Sequence, residues 1–395
     1  MRPTFDRPFA ITMWDFSWLE RRWPGAGYED WDQVLAELVD RGYDAVRIEA
    51  YPHLVAADPY RTWELLPVWN QQSWGAPSIV HVQVLPALLD FLRAAKRHGV
   101  AVALSSWFRE DRDNTRMAAH TPTDFGQMWL QTLQHIDQAD LLDTILYVDF
   151  CNEFPLEIWA PWLYADQLLR NAARYDLPAE TLLTDVMPGI QSRASDRVVD
   201  WMRRSIEVAR EVYPDLDYTY STTTELTTWQ SQDVSMLDVL EPHVWLADND
   251  YSDYYKVIGY NYERFSTIGY DNLVRIGRQT YEENREKYDA ALFRMIDTVA
   301  DWSRATGKAL YITECWSIVD YKDWPGLEWD WILDITARAV EYAAATGRFV
   351  GIATSNFCGP QFVGMWREIE WHQRLTSVIK NSPIDEDLRT RSLDR

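Results

Sequence analysis

Two glutamates stand at the ends of apolar, strand-like runs. The run "TILYVDFCNEFP", residues 144–155, begins with β-branched and aromatic residues and turns polar at Asn152 and Glu153. The run "ALYITECWS", residues 309–317, stops in the same way at Glu314. A buried carboxylate is costly unless it is paired or protonated, so two in equivalent positions indicate a function. Paired carboxylates suit acid–base and nucleophilic catalysis.

Eight strand-like runs recur along the chain, and helical patterns lie between most of them. The runs are "FAITMWDF", "YDAVRIEAYP", "VAVALSSWF", "TILYVDFCNEF", "DYTYSTTTE", "LDVLEPHVWL", "ALYITECWS" and "RFVGIATSNF". In the intervening segments apolar residues recur at the i, i+3, i+4 and i+7 spacing of amphipathic helices. Several of these helices are expected to end at a glycine, namely Gly42, Gly99, Gly307 and Gly347, where a left-handed C-cap is easily formed.

This alternation predicts an α/β fold, a single (β/α)8 TIM barrel. A doubly wound open sheet is the competing architecture, but it would show a glycine-rich first βα turn, and the sequence has none. The predicted barrel covers residues 1–380, and residues 381–395 form a polar C-terminal tail. Long, aromatic-rich βα loops, at 53–82, 154–195 and 247–286, should emerge on the C-terminal face, where barrel enzymes build their sites.

The predicted barrel also sets where the two glutamates lie. Glu153 would close strand four and Glu314 strand seven, so they would face each other across a barrel about a dozen Å wide. A separation of about 5 Å suits a retaining glycosidase, and about 6.5–9.5 Å suits an inverting one. The sequence leaves both distances open.

Composition restricts the partners. The 395 residues include 61 Asp and Glu against 38 Lys and Arg, a net charge of −23, which disfavours nucleic acid and anionic membranes and favours a neutral or cationic small molecule. Cys151, Cys315 and Cys358 fit neither a disulfide framework nor a zinc site. The N-terminus carries no signal-peptide pattern, and no apolar stretch approaches about 20 residues. We expect a cytoplasmic protein without cofactors.

Aromatic residues point to a sugar. The chain has 21 Trp and 21 Tyr, many in polar segments such as "YRTWELLPVWNQQSW" and "DNDYSDYYKVIGYNY". A flat ring with a polar edge can cover the apolar face of a sugar, although such rings also anchor cores and interfaces. Their density in predicted loops favours a carbohydrate cleft.

Four short motifs resemble those of a known group of enzymes. "FCNEFP" resembles the Asn-Glu-Pro-type signature that closes strand four in clan A of the retaining glycoside hydrolases, and "YITECW" resembles the strand-seven glutamate segment. Arg47 in "AVRIEAY" and His243 in "EPHVW" fall where that clan has an arginine and a His-x-aromatic motif. The chain is most similar to cellulase-like proteins near family 5. It departs at Phe154, which separates Glu153 from Pro155, and in "TSNFCG", where a tryptophan is common.

The resemblance implies roles for the matching residues. Glu153 would be the acid/base and Glu314 the nucleophile. Asn152 would bind the sugar 2-hydroxyl, and Arg47 would be the cation beside the nucleophile. His243 and Trp245 would orient the nucleophile and floor a subsite. Arg47 has a second interpretation, an interior ion pair with Asp149 or Glu49, because buried arginine is nearly always paired.

Other polar and aromatic residues are expected at the ends of further strands. Each could contact substrate or support the fold: Asp15 and Trp14, Trp107 and Arg109, Glu225, Trp316 and Asn356. The predicted partner is a carbohydrate, and the sequence does not indicate an oligomeric state.

Two rival functions remain open at this point. A metal-dependent sugar isomerase also carries acidic residues and histidine at strand ends, and Glu49, Glu153, Glu225 and His243 could form an oxygen-rich divalent site. A sugar-binding barrel without catalysis would keep the aromatic cleft alone. The main prediction includes no metal.

Overall fold

The computed structural model describes residues 6–69, 73–164, 191–260 and 267–389. Its strands are β1 (Phe9–Asp15), β2 (Ala45–Glu49), β3 (Thr62–Leu65), β4 (Val80–Gln83), β5 (Ala101–Ser105), β6 (Ile145–Asp149), β7 (Tyr218–Thr219), β8 (Val244–Trp245), β9 (Leu310–Ile312), β10 (Cys315–Trp316) and β11 (Phe349–Ala353). Its α-helices are α1 (Ser17–Glu20), α2 (Trp31–Asp40), α3 (Pro52–Ala57), α4 (Val84–His98), α5 (Pro122–Gln138), α6 (Asp196–Arg210), α7 (Tyr254–Ile258), α8 (Ile268–Asn272), α9 (Arg278–Glu283), α10 (Arg285–Thr306), α11 (Asp330–Ala345), α12 (Val363–Trp366), α13 (Ile369–Lys380) and α14 (Glu386–Arg389).

Seven of these strands form one sheet, in the order β7-β6-β5-β2-β1-β11-β9. Every pair of neighbours in it is parallel. The strands are buried along almost their whole length, as expected when helices cover a parallel sheet and leave no solvent-facing side. The predicted α/β class is therefore confirmed, and α4 and α10 end at Gly99 and Gly307 in the left-handed conformation, with φ of 68° and 65°.

Only Val244–Trp245 of the sixth strand-like run form a regular strand, β8. Leu240 donates its backbone N–H to the Ala309 carbonyl and accepts from Tyr311, each at 2.9 Å, so this part of the run lies against β9. On the other side, His243 donates to the Thr222 carbonyl at 2.7 Å. Residues 238–246 thus lie between the two edge strands of the sheet, and β8 pairs in parallel with β10. Pro242 interrupts the run, since proline has no N–H to donate to a ladder.

An antiparallel hairpin, β3 and β4, occupies part of the long segment 53–82 and ends one residue beyond it, at Gln83. The sequence pattern predicts this segment only as a loop, because each strand is four residues long. Parts of the three predicted long loops, residues 70–72, 165–190 and 261–266, lie outside the described residues.

Residues 384–388 pack at the N-terminal ends of the sheet strands. Ile384 and Leu388 are buried in a small cluster with Ile11 and Tyr147. Arg348 pairs with Asp387 at 2.7 Å. The described part of the predicted polar tail, up to residue 389, therefore contributes to the core. No helix in the described ranges is long and apolar enough to cross a membrane.

Candidate active site

Glu314 lies between β9 and β10, and a buried arginine holds its carboxylate. Arg47, in the middle of β2, donates from Nη1 to Glu314 Oε1 at 3.0 Å. The same Nη1 donates to Thr313 at 3.2 Å. Glu314 is 7% exposed. The sequence places these residues 267 positions apart, and the sheet brings them into contact.

Arg47 is itself enclosed by acidic groups. Its Nη2 lies 2.5 Å from Asp149 Oδ2, and its Nε lies 3.4 Å from Glu241 Oε1. The guanidinium also lies over the Trp107 ring, 4.6 Å from the centroid. Burial alone would lower the pKa of Arg47, but Glu241, Asp149 and Glu314 hold it above its ordinary value. Both interpretations of Arg47 therefore apply: it contacts Glu314 and forms an interior ion pair with Asp149.

Glu153 follows β6 and has different neighbours. Its backbone adopts φ of 45°, and its N–H donates to Ser221 Oγ at 2.9 Å. Trp159 Nε1 donates to Glu153 Oε2 at 3.3 Å, and His243 Nδ1 lies 3.1 Å from Oε1. Among the described residues, no lysine or arginine forms an ion pair with Glu153. Its carboxylate is thus held by an indole and an imidazole.

His243 connects the two glutamates. Its Nδ1 lies 3.1 Å from Glu153 Oε1 and 3.6 Å from Glu314 Oε2. One oxygen of each carboxylate and one ring nitrogen lie within 4.8 Å of one another. The structure therefore brings Glu153, Glu314 and His243 together, and His243 Nε2 is buried with no hydrogen-bond partner among the described residues.

Burial dominates the protonation of these three groups. It raises the pKa of Glu153 to about 7, opposed by the hydrogen bond from Trp159 and by the charge of Arg47. It raises the pKa of Glu314 to about 7, opposed by His243 and Arg47 and aided by the charge of Glu153. It lowers the pKa of His243 to about 4, so the ring is neutral near pH 7. A proton on Nδ1 is the tautomer that suits two acceptor carboxylates.

Asn152 is oriented by the same arginine. Arg47 Nη2 donates to its Oδ1 at 2.7 Å, so only the amide nitrogen of Asn152 remains for another hydrogen bond. That Nδ2 is buried with no hydrogen-bond partner in the described structure. A buried unpaired donor on the residue that precedes Glu153 indicates a ligand group that accepts from it.

The four candidate tryptophans, Trp14, Trp107, Trp245 and Trp316, are all buried. Trp107 supports the Arg47 guanidinium. Trp316 donates its indole N–H to the Ala353 carbonyl at 2.9 Å and so faces β11. Trp245 Nε1 finds no partner in the described ranges. Their substrate contacts stay predictions.

Asp15 ends β1 close to the glutamate pair. Its carboxylate accepts from the Ser17 N–H at 2.6 Å and from the Ser17 hydroxyl at 2.9 Å. Burial raises the pKa of Asp15, and the charges of Glu20 and Glu314 raise it further. Asp15 therefore lies within electrostatic reach of the site.

Glu225 and Asn356 are engaged with other parts of the fold. Glu225 Oε2 accepts from the backbone N–H of Arg193 at 2.7 Å and from the hydroxyl of Ser192 at 3.2 Å. Asn356 Nδ2 donates to the Val319 carbonyl at 3.1 Å. Neither side chain has a hydrogen bond with Glu153 or Glu314 in the described structure, and their substrate contacts stay predictions.

The site could also hold a cation. Glu153, His243 and Glu314 offer three ligand atoms at suitable spacing. This set differs from the one predicted for an isomerase, because the carboxylate of Glu49 accepts backbone N–H groups instead and Glu225 is bound elsewhere. The three residues are hard or borderline ligands of the kind that divalent ions accept.

Sequence reasoning missed three polar residues around the site. Ser221 bonds the backbone of Glu153, and Glu241 accepts from Thr313 at 2.5 Å. Asp320 accepts from the Tyr260 hydroxyl at 2.9 Å, and burial, opposed by that bond, raises the pKa of Asp320 to about 7. Glu241 interrupts an apolar run, the same signal that marked the two glutamates, whereas Ser221 and Asp320 give no such signal.

The comparisons with known proteins identify the family of the chain. A family model described as "Cellulase-like: Sugar-binding cellulase-like" matches residues 11–380. The crystal structure of a candidate glycoside hydrolase from Parabacteroides distasonis is 46% identical, with a TM-score of 0.91, over 98% of this chain and 97% of that chain. No curated protein sequence matches the chain.

More distant structures show the fold. A β-glycosidase is 12% identical, with a TM-score of 0.51, over 97% of this chain and 98% of that chain. A family 5, subfamily 18 glycoside hydrolase of Streptomyces cattleya, in complex with GlcNAc, is 11% identical, with a TM-score of 0.50, over 98% of this chain and 82% of that chain. The predicted likeness to cellulase-like glycoside hydrolases is confirmed, and the chain belongs to the sugar-binding cellulase-like family.

Proposed function

We propose that the protein is a retaining glycoside hydrolase that cleaves a β-linked glycosidic bond by double displacement. The observation that carries this proposal is the approach of Glu153 and Glu314, one oxygen of each lying within 4.8 Å of the other. Retaining enzymes place their carboxyl groups about 5–5.5 Å apart, whereas inverting enzymes leave about 6.5–9.5 Å for a water molecule. The β-linkage rests on the likeness of the motifs to clan A.

The neighbours of each glutamate support its role. A nucleophile must be ionised, and Arg47 donates to Glu314 at 3.0 Å, so we assign the negative charge of the pair to Glu314. That charge and burial keep the proton on Glu153, which is then the general acid. His243, neutral because burial lowers its pKa to about 4, hydrogen-bonds Glu153 and lies 3.6 Å from Glu314 without adding a charge.

The reaction then has two steps. Glu314 attacks the anomeric carbon while Glu153 gives its proton to the departing oxygen, which leaves as an alcohol. Glu153, now ionised, takes a proton from water, and the resulting hydroxide displaces Glu314 from the sugar. The two inversions restore the starting configuration. Asn152 would donate to the 2-hydroxyl from its unpaired Nδ2, a contact that strengthens in the transition state.

We also infer that the sheet closes into an eight-stranded barrel within residues 1–380. Residues 238–246 would be the sixth strand. Support comes from their backbone hydrogen bonds to β9 and to the segment after β7. Closure would bring the ends of strands four and seven together across the barrel, as the proposed pair requires.

The test is turnover of a panel of aryl glycosides: β-gluco, β-galacto, β-manno and β-xylo sugars, with arabino- and galactofuranosides. Wild type and Glu314→Ala are run in parallel, with and without EDTA. We expect at least one glycoside to be cleaved by wild type alone, unaffected by EDTA, with the first product having the configuration of the substrate. Sugar binding with no turnover of any glycoside or oligosaccharide would instead identify a non-catalytic sugar-binding protein.

One observation favours a second candidate, a metal-dependent sugar isomerase. Glu153, His243 and Glu314 form a set that could bind a divalent ion. In that case the activity on free sugars would require an added divalent ion and would be lost in EDTA. The guanidinium 3.0 Å from Glu314 competes with such an ion for the same carboxylate, which is why hydrolysis is the first proposal.

A further inference from the structure

Asp320 is a buried carboxyl group with one oxygen that the protein does not use. The residue is 4% exposed, and no lysine, arginine or histidine of the described residues forms an ion pair with it. Its Oδ2 accepts from the Tyr260 hydroxyl at 2.9 Å. Its Oδ1 forms no hydrogen bond in the described structure and, unlike the unpaired Oε2 of Glu241, is not sealed from solvent. A ligand can therefore reach an unpaired acceptor on Asp320.

Other buried carboxyl groups have more donors than Asp320. Five of them accept hydrogen bonds at both oxygens: Asp15, Glu20, Glu49, Asp111 and Asp149. Burying a carboxylate is costly unless donors or cations compensate for the lost water. Asp320 has the Tyr260 hydroxyl alone, and burial raises its pKa to about 7 against that hydrogen bond. A ligand that donates to Oδ1 would supply the compensation that the fold leaves out.

One asparagine ties the loop of Asp320 to the strand end that carries Glu314. The backbone N–H of Asn356, which follows β11, donates to the carbonyl of Cys315 at 3.0 Å. Its side chain donates from Nδ2 to the carbonyl of Val319 at 3.1 Å. Cys315 directly follows Glu314, and Val319 directly precedes Asp320. Asn356 therefore contacts a sequence neighbour of each of the two acidic residues.

The sixth strand-like run and α7 hold the same segment from the other side. Val244 donates its N–H to the carbonyl of Glu314 at 3.3 Å. Tyr255, in α7, accepts at its hydroxyl from the N–H of Val319 at 2.9 Å and from the N–H of Asp320 at 3.4 Å. The segment from Glu314 to Asp320 is thus hydrogen-bonded at both ends, at the C-terminal face where the two glutamates lie. The charge of Glu314 also raises the pKa of Asp320, which agrees with this placement.

Two stacked tyrosines fix the orientation of Asp320. Tyr260, which donates to its side chain, stacks on Tyr255, which bonds its backbone, with ring centroids 4.4 Å apart. Both rings are buried. An acceptor that is already held in place loses little conformational freedom when it binds a ligand group. Asp320 is therefore suited to recognise one donor in one position.

We propose that Oδ1 of Asp320 accepts a hydrogen bond from one hydroxyl group of the sugar whose anomeric carbon Glu314 attacks. The proposal rests on the proposed function and adds a residue that determines its sugar specificity. Sugar hydroxyls are donors, and hydrogen bonds to a carboxylate are among the stronger ones. The contacts that tie Asp320 to the strand end of Glu314 assign it to this sugar and not to the leaving group. A site built around a substrate hydroxyl strongly rejects the analogue that lacks it.

The experiment pairs variants of Asp320 with deoxygenated substrates. The aryl glycoside that the wild-type protein cleaves and its monodeoxy analogues are assayed with wild type, Asp320→Ala, Asp320→Asn and the exposed control Asp301→Asn. For the complete substrate, kcat/KM should fall about 10- to 100-fold in Asp320→Ala, as for loss of a hydrogen bond to a charged group. One monodeoxy analogue should show a similar loss with wild type and no further loss in Asp320→Ala. The control should match wild type.

Two further results separate recognition from support of the fold. Tyr260→Phe keeps the ring and removes the donor to Oδ2, so it should lower kcat/KM for the complete substrate about 2- to 10-fold and leave the same monodeoxy analogue unchanged. Asp320→Asn keeps the shape of the side chain without its charge and should fall between wild type and Asp320→Ala. If Asp320→Ala and Asp320→Asn lower kcat/KM by the same factor for the complete substrate and for every analogue, the proposal is overturned.

Binding to an inactive protein distinguishes this inference from the proposed function. Glu314→Gln, with and without Asp320→Ala, is titrated by calorimetry with the methyl glycosides of the panel sugars and their monodeoxy analogues. If one analogue binds more weakly than its parent only when Asp320 is present, while wild type hydrolyses no glycoside, the Asp320 contact stands and the proposed hydrolysis fails. If a glycoside is hydrolysed but no analogue depends on Asp320, the hydrolase stands and the contact is overturned. No binding of any sugar would also overturn the contact.

Discussion

The two halves of the candidate active site contain the same acidic residue in opposite surroundings. Glu314 has a cation at 3.0 Å and belongs to a network in which Arg47 also contacts Asp149 and Glu241. Glu153 has an indole at 3.3 Å and an imidazole at 3.1 Å. Burial raises the pKa of both carboxyls to about 7. Burial therefore raises the pKa of both groups, and the hydrogen bond from one arginine is the basis on which we propose that Glu314 keeps the charge.

Removing the acid should affect substrates unequally. For Glu153→Ala, we expect kcat/KM for an alkyl glycoside, whose leaving group needs a proton, to fall by about 10²–10⁴. The dinitrophenyl glycoside leaves without help, so its kcat/KM should fall far less. Glu314→Ala should lose activity on both substrates. Steady-state kinetics on the two glycosides measures these changes in kcat/KM. Equal losses for both substrates in Glu153→Ala would contradict the role of Glu153 as the general acid.

Removing Arg47 should destabilise the protein through its buried acidic partners, Glu314 among them. Arg47→Met leaves Asp149, Glu241 and Glu314 without their shared partner, and breaking a buried pair in this way costs about 3–5 kcal/mol of unfolding free energy. Urea denaturation at pH 7 measures the loss. Arg97→Met, which removes an exposed arginine from Asp32, is the matched control and should change little. A variant as stable as the control would mean that Arg47 does not hold the site together.

Replacing the Glu153 carboxyl, whose pKa is raised, by a neutral amide should change how the stability of the protein depends on pH. The pKa of Glu153 is raised from an ordinary value of 4.5 to about 7, so its stabilising contribution is complete below pH 4.5 and is lost as pH rises through 7. Glu153→Gln avoids this loss. Its unfolding free energy relative to wild type should therefore increase by about 1–3 kcal/mol between pH 4 and pH 8.

Denaturation curves at several pH values provide the measurement, and the exposed Glu286→Gln should track wild type throughout. A relative stability of Glu153→Gln that falls with increasing pH would reverse the sign and contradict the raised pKa of Glu153.

The smallest effect should come from the indole beside Glu153. Trp159→Phe keeps a ring but removes the N–H that donates to Oε2, and since this bond lowers the pKa of Glu153, its loss should raise that pKa. The alkaline limb of the pH–rate profile for an alkyl glycoside should move up by a few tenths of a pH unit, with kcat changed less than about threefold. An alkaline limb that moves down would show that Trp159 does not stabilise the ionised form.

The sequence predicts the acidic residues of this comparison better than their partners. Glu153 and Glu314 each end an apolar run, a local signal that needs no knowledge of the fold. The contacts of Arg47 cross from β2 to residues 102 and 267 positions away, so the sequence could suggest Arg47 for Glu314 only through the resemblance. Glu225 ends a strand-like run in the same way, yet its carboxylate turns to the backbone of Arg193.

The fold shows the same limit. Periodicity predicts the long amphipathic helices and the buried strands. It does not predict the hairpin β3–β4 or the interruption of the sixth strand-like run. A four-residue strand shows too few alternations, and Pro242 removes a donor where a ladder would continue.

The assignment of the two glutamates is tested most directly by the anomeric configuration of glycosyl azides. With a β-glycoside that has a good leaving group, azide attacks the substrate directly in Glu314→Ala, in one inversion, and should give the α-azide. In Glu153→Ala it attacks the glycosyl-enzyme formed on Glu314, in a second inversion, and should give the β-azide. NMR of the products reads the two outcomes, and exchanged configurations, or azide products from neither variant, would contradict the account.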